Sequence, residues 1–366
     1  MLSVTNFRNY TSLSLDCDTQ ANLFLGANGQ GKTNLLEAIY YLCVARSCRE
    51  ALDKELILLG EDFFLIEGNG VSAVDLPVEL EIRYARYAGK NVRINQQPQR
   101  NLSDLYGSLA AVVVSPEDRQ LIQGSPSGRR RFLDIAISQT NPAYLALLQD
   151  YRRVVRQRNE SLRAYQHGAE APPDLVVWNE QLVRFGSRIM RKRIEAVAQL
   201  NEAAKALHRT ISNAHEELDI TYIPSFPFEN PDEMEKHFET TLQQSFREER
   251  ARGITVAGPH RDDLGLDMDG VPLQTYGSQG QQKTAATAMK LAEARFLWQH
   301  LNSPPLLLLD DIFAELDTTR TAQLIELLPS YGQIFITAAK ESDLGSYTDR
   351  FRRFYVRAGT VIPENE

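Results

Sequence analysis

Three glycines, a lysine and a hydroxyl stand at fixed spacing in Gly26-Ala27-Asn28-Gly29-Gln30-Gly31-Lys32-Thr33. The stretch fits G-x-x-x-x-G-K-[ST], a pattern whose chemistry is the cradling of phosphate. Gly26, Gly29 and Gly31 let the backbone turn its N–H groups toward phosphate oxygens. A helix starting there adds a fixed partial positive charge. In that arrangement Lys32 reaches the β- and γ-phosphates and Thr33 ligates Mg²⁺. Asn28 and Asn34 count with the nucleotide-binding residues. The chemistry needs a strand before the loop and a helix after it. Apolar Leu23-Phe24-Leu25 and the helix-like run from Leu35 to Leu42 supply both. An ordinary glycine-rich turn is the bland alternative, and these flanks weigh against it.

Such a site also needs acids. Leu306 to Leu309 followed by Asp310-Asp311 reads as a buried strand whose carboxyl end faces the ligand. Asp310 is expected to hold Mg²⁺, and Asp311 to orient the attacking water or act as its base. A second glycine-rich helix start, Tyr276-Gly277-Ser278-Gln279-Gly280-Gln281-Gln282-Lys283, precedes a helical run from Thr284 to Trp298. Ser278, Gly280 and Gln281 keep three of five places of the L-S-G-G-Q signature of ATP-binding-cassette proteins. Ala314-Glu315-Leu316-Asp317 resembles their D-loop. Thr337 ends the strand-like Ile334-Phe335-Ile336, where many transporters carry a histidine. His260 with Asp262 and Asp263 reads as a polar loop buttressing the active site rather than a metal cluster, since no second histidine stands at ligand spacing.

The remaining chain must position these groups. Residues 1 to about 25 read as strands broken at Phe7-Arg8-Asn9-Tyr10-Thr11, with Arg8 either solvated or near the nucleotide. Residues 63–94 alternate as a strand meander, and Ala110 to Val114 as a buried strand. A polar break at Ser115-Pro116-Glu117-Asp118 leads to a helix start carrying Arg129, Arg130 and Arg131. From about Tyr144 to Ile211 apolar residues recur at helical spacing, with a turn expected at Gly168 to Pro173, which reads as a short antiparallel arm. Residues 221–231 read as a proline-rich connection, the run from Met234 to Arg250 as a helix, and 264–270 as a hairpin turning at Asp269-Gly270.

The chain has 366 residues, 43% hydrophobic and 24% charged, with net charge −8 and three cysteines without metal-site spacing. That composition suits a soluble protein of a reducing cytoplasm and leaves no membrane-spanning run. Residues 129–193 nevertheless hold thirteen Lys or Arg against six Asp or Glu, a net of +7. A solvated helix face explains any single arginine, but the regional excess favours a polyanion such as DNA. Arg129, Arg130, Arg152, Arg156, Arg191 and Lys192 are the candidate DNA contacts.

Taken in order, F-R-N-Y, P-E-D, G-S-P…R-R-R-F-L-D, G-P-H-R-D-D, S-Q-G-Q-Q-K and L-L-L-L-D-D…E-L-D cover essentially the whole chain. With them the sequence resembles the RecF family of bacterial recombination and gap-repair proteins. The resemblance implies an α/β fold: a P-loop, ABC-type, Rad50-like ATPase head with an inserted helical second lobe. It implies ATPase segments at 1–115 and 251–366 and the helical lobe at 116–250. It implies a slow ATPase that forms an ATP-dependent homodimer on double-stranded or gapped DNA. Partners would be RecR and the RecO and RecA pathway, at the bacterial nucleoid. Arg8, Lys32, Thr33, Asp310 and Asp311 would serve one subunit's nucleotide, and Ser278 and Gly280 the other's, with Asp317 beside them. Lys32, Asp311 and Ser278 would be the catalytic set. A transporter's nucleotide-binding subunit, a scaffold with a vestigial site and a fused nuclease are the rivals. The basic arm, the intact Lys32, Thr33, Asp310 and Asp311, and the lack of a spare acidic cluster oppose them in turn.

Overall fold

The computed structural model of the chain describes residues 1–71, 76–167, 174–212 and 216–364. The turn expected at 168–173 lies outside these residues. The chain opens with β1 (Leu2–Phe7) and β2 (Tyr10–Leu15), a hairpin turned by Arg8 and Asn9, with Arg8 at φ 53°. β3 (Ala21–Leu25) runs through the glycine-rich loop into α1 (Lys32–Val44). β4 (Phe63–Val71), β5 (Pro77–Ala85), β6 (Gly89–Ile94) and β7 (Gln97–Pro98) form the meander, and β8 (Ala111–Val114) follows. Next come α2 (Gln120–Gln123), α3 (Pro126–Thr140), α4 (Pro142–His167) and α5 (Leu175–Ser212). β9 (Leu218–Ile223), α6 (Met234–Arg252), β10 (Asp263–Met268), β11 (Val271–Pro272) and α7 (Leu273–Tyr276) continue the chain. α8 (Gln279–Leu301), β12 (Leu306–Asp310), α9 (Thr318–Leu327), β13 (Ile334–Ala338), β14 (Arg352–Arg357) and β15 (Thr360–Pro363) complete it.

One unit comprises Met1–Arg119, Ala203–Glu217 and Ser278–Glu366. It holds an antiparallel sheet of order β2-β1-β4-β5-β6-β7 and a second sheet of order β15-β14-β3-β13-β12-β8. The second is parallel except for β15. Its central strands are apolar on both faces, as strands covered on both sides must be: Leu23, Phe24, Leu307, Leu308, Leu309 and Ile336 are fully buried. α1 packs on both sheets and is buried on nearly every side, so its apolar run has no polar stripe. The register sets Asp310 opposite Thr337 and Thr337 opposite Phe24, which brings the acid strand one strand away from the glycine-rich loop.

The other unit comprises Gln120–Glu202 and Leu218–Gly277. Residues 251–277 fall here rather than with the ATPase segment expected from 251 onward, because β10 pairs with β9 from Asp263↔Ile223 to Met268↔Leu218. That pairing also makes Thr221, Tyr222 and Ile223 a strand end instead of the start of a proline-rich connection. α4 and α5 run antiparallel where Arg158 Nε donates to Asn179 (2.7 Å) and Ser161 to Asp174 (2.9 Å).

Arginines form much of this unit's interior. Arg158 is fully buried, with Nη2 2.5 Å from Glu249 and Nη1 2.8 Å from Thr255 Oγ1. Arg193 donates to Asp134 (2.9 and 3.1 Å) and to the Pro259 carbonyl (2.6 Å). Removing one member of such a pair strands a charge away from water, which costs about 3–5 kcal/mol, whereas replacing both by apolar groups costs far less. Arg158→Met is therefore expected to lower the urea midpoint sharply, and Arg158→Met with Glu249→Leu to recover most of the loss. Equal midpoints for the single variant and the wild type would contradict this.

Candidate nucleotide site

The first half of the site is the loop between β3 and α1. Gly31 sits at φ 118°, where a Cβ would stand 2.6 Å from Asn9 Nδ2, so only glycine fits. Asn9 and Tyr10, beside the β1–β2 turn, brace the loop from outside: Asn9 Nδ2 donates to Gln30 O (3.1 Å) and Tyr10 OH to Gly31 O (3.0 Å). Gln30 in turn receives the Ala358 N–H on its side chain and the Gly359 N–H on its carbonyl. Asn34 donates to Asn9 Oδ1 (2.7 Å), so it supports the loop. Asn28 is exposed at the tip. Lys32 is buried, and its ammonium is 2.8 Å from Gly26 O and 3.5 Å from Asp311 Oδ2.

Arg8 is neither solvated nor free. Its Nε and Nη2 grip both oxygens of Glu37 (2.8 and 3.1 Å), a fully buried carboxylate four residues beyond Thr33 on α1. Ser47 donates to the same carboxylate. The F-R-N-Y segment thus docks as a unit: Arg8 on the helix, Asn9 and Tyr10 on the loop.

The acid half meets this loop through hydroxyls. Thr33 Oγ1 donates to Asp310 Oδ1 (3.1 Å), as does Thr337 Oγ1 from the neighbouring strand (2.7 Å). Thr337 also accepts the Asp311 backbone N–H (2.9 Å) while Asp311 turns at φ 48°. Asp311 Oδ1 is buried without a hydrogen-bond partner among the described residues. A carboxylate and a hydroxyl in contact, beside an unpaired carboxylate oxygen, are oxygen donors of the kind that hold Mg²⁺ or a reactive water. Burial raises the Asp310 pKa, the Asp311 and Glu117 charges add to the rise, and the two hydroxyls oppose it. The folded chain therefore holds this proton more tightly than the unfolded one. The stability owed to Asp310 falls as pH rises past the carboxylate range.

Ser278 is the exposed N-cap of α8, accepting from Gln281 N (3.2 Å) while Gln281 Oε1 receives the Ser278 N–H (2.7 Å). Asp317 caps α9 through Arg320 N (2.9 Å). Arg320, which no motif singles out, joins the two ends: Nη1 is 3.5 Å from Asp317 and lies against Gly280. Lys283 and Glu315 tie the same segments at 3.0 Å.

The candidate DNA contacts divide by burial. Arg129 is buried and grips Asp263 with two hydrogen bonds (2.7 and 2.8 Å), so it is a structural residue and not a surface cation. The half-buried Arg130 donates to Asp262 O (2.7 Å). Arg152, Arg156 and Lys192 are exposed, Lys192 against Glu195, and Arg191 is half-buried near Glu235. With Arg158 and Arg193 also buried, the regional excess of charge overstates the charge on the surface. His260 meets Tyr151 OH (2.7 Å) and Thr255 O (3.2 Å), Asp262 receives Tyr222, and burial pushes His260 down to about 4. These residues brace the second unit rather than the nucleotide loop, and no metal cluster forms among the described residues.

Over residues 1–361 the chain matches the RecF/RecN/SMC N terminal domain family. It is 39% identical to the DNA replication and repair protein RecF of Heliobacterium modesticaldum, covering 100% of this chain and 99% of that one. Against RecF of Bacillus cytotoxicus the identity is 38%, with 98% and 97% covered. A solved structure of the recombination mediator protein RecF with ATP, of the RecFOR pathway, superposes with a TM-score of 0.92 at 30% identity, over 100% of this chain and 96% of that one. The Smc head domain of Pyrococcus yayanosii, at 13% identity, a TM-score of 0.58 and coverage of 100% and 96%, shares the fold alone.

Thr337 is the site residue whose removal is most informative. Thr337→Val deletes one charge-assisted hydrogen bond and leaves the Asp311 N–H unpaired. ATP hydrolysis is expected to fall about 10- to 100-fold with ATP affinity little changed. Asp310 would also lose a group that lowers its pKa, so the acidic limb of the rate profile should move to higher pH. Unaltered turnover and an unmoved limb would contradict the assignment.

Proposed function

We propose that this chain, which belongs to the RecF/RecN/SMC N terminal domain family in its RecF branch and has an ABC-type, Rad50-like ATPase head, is an ATP-switched DNA clamp of recombinational gap repair and replication restart. The observation that carries the reading is the contact of Thr33 with Asp310 across two chain segments, with Thr337 and Asp311 completing the acid side. ATP with Mg²⁺ would supply a γ-phosphate whose presence or loss distinguishes two states. Lys32 and the loop N–H groups would bind the phosphates, Thr33 and Asp310 would hold the metal, and the unpaired Asp311 oxygen would accept from water.

Ser278 stands exposed at the N-cap of α8, a helix start suited to phosphate, with Gly280 two residues on. In a second copy these residues would complete the first copy's nucleotide site, with Asp317 beside them. ATP then favours the dimer only to the extent that it binds the dimer more tightly than the monomer. Slow hydrolysis makes the site a switch. DNA would lie on the exposed Arg152, Arg156 and Lys192, with Arg130 and Arg191 at the margin. RecR would be the direct partner, with RecO, in loading RecA at gapped or double-stranded DNA in the bacterial cytoplasm. Among the described residues no helix is long and apolar enough to cross a membrane.

Two measurements test the reading. Lys32→Ala is expected to weaken ATP binding about 10- to 100-fold, the worth of one or two charge-assisted contacts. Changing Arg152 and Arg156 together to glutamine should flatten the slope of log affinity against log salt by about 2. A variant with the wild-type slope would remove these residues from the DNA surface. ATP binding untouched by Lys32→Ala would sink the nucleotide assignment.

A further inference from the structure

α8 carries Ser278 at its start and a different feature at its far end, on the order of 30 Å away at ~1.5 Å per residue. There an open cleft of about 430 Å³ is lined by Arg295, Trp298, Gln299, Asn302, Ser330 and Tyr331. None of the six is acidic, although the chain as a whole is. Trp298 is 38% exposed. The Tyr331 hydroxyl is buried beside the Arg295 guanidinium. The Arg295 guanidinium stands close enough to oppose the upward push that burial gives the Tyr331 phenol. No carboxylate pairs with Arg295 among the described residues. The Arg295 guanidinium and the exposed Trp298 indole thus present donors to one space with no acid among its lining residues.

We propose that this cleft receives an acidic peptide segment of a partner protein, a carboxylate on Arg295 and a neighbouring aromatic or apolar side chain against Trp298. Arginine, tryptophan and tyrosine in one concave patch are the residue types that carry most of the energy in protein interfaces. The charge complementarity is local: one cation, no lining acid. A nucleic acid fits less well, because phosphate tracts are held by several cations and the cleft presents one. The cleft's distance from Ser278 leaves the nucleotide-completing end of α8 free while the peptide is bound.

The chain has two tryptophans, so Trp178→Phe in the full-length protein leaves Trp298 as the sole reporter. The probes are the N-acetylated tetrapeptide DEFE, its uncharged counterpart NQFQ, and oligo-dT, each titrated against indole emission. DEFE is expected to shift the emission saturably, and NQFQ to bind at least about tenfold more weakly. Arg295→Met should lose the same factor while its melting temperature and ATP affinity stay at the wild-type values. No saturable shift with DEFE, equal binding of DEFE and NQFQ, or indifference to Arg295→Met would overturn the proposal. So would oligo-dT binding more tightly than DEFE, which would make the cleft a nucleic-acid site.

Discussion

The hydroxyl of Thr337 lies between a carboxylate and a backbone amide, and the site depends on that position. It donates to Asp310 and accepts from Asp311 N–H, so one oxygen orients both acids. The contact exists because β12 and β13 are parallel neighbours in a register that sets residue 310 against 337. The same strand lies beside β3, which delivers the glycine-rich loop and places Thr33 on the other side of Asp310. This register is the one in which the buried Thr337 hydroxyl meets both Asp310 and the Asp311 N–H, so the polar groups enclosed at the strand ends are satisfied there.

Burial has an opposite consequence in the second unit. There the packing encloses charges, and each enclosed arginine is matched: Arg158 by Glu249, Arg193 by Asp134, Arg129 by Asp263. Such pairs contribute little net stability but penalise any arrangement that separates them. Arginine abundance in this region therefore divides by burial. Part of it is the interior of the unit, and only the exposed remainder, Arg152, Arg156 and Lys192 above all, is available to a polyanion.

Much of this was legible in the chain itself, for definable reasons. The loop at 26–33, the strand ending in Asp310 and the helix starts at Ser278 and Asp317 are local patterns, and their chemistry is dictated by spacing within a few residues. The apolar runs gave β3, β8, β12 and α1 because those elements are buried on most sides. Thr337 was visible only as a departure from a histidine, since its role depends on a register between strands 27 residues apart. Arg129 looked like its neighbours, since helical spacing alone does not say which face meets Asp263, 134 residues away. The extent of the second unit was obscured for a related reason: β9 and β10 are short strands, separated by α6, that become one sheet only in three dimensions. Arg320, between Gly280 and Asp317, carries no motif at all.

The central claim is that two copies share each nucleotide site, Lys32 from one and Ser278 from the other. It is tested most directly by mixing two variants, Lys32→Ala and Ser278→Arg, and following sedimentation with ATP. Each alone should stay monomeric, because every site it builds lacks one partner. Mixed, they should form dimers, because one of the two shared sites then holds an intact Lys32 and an intact Ser278. A mixture that remains monomeric under conditions where the wild type dimerises, or a Ser278→Arg protein that dimerises unaided, would contradict the shared site.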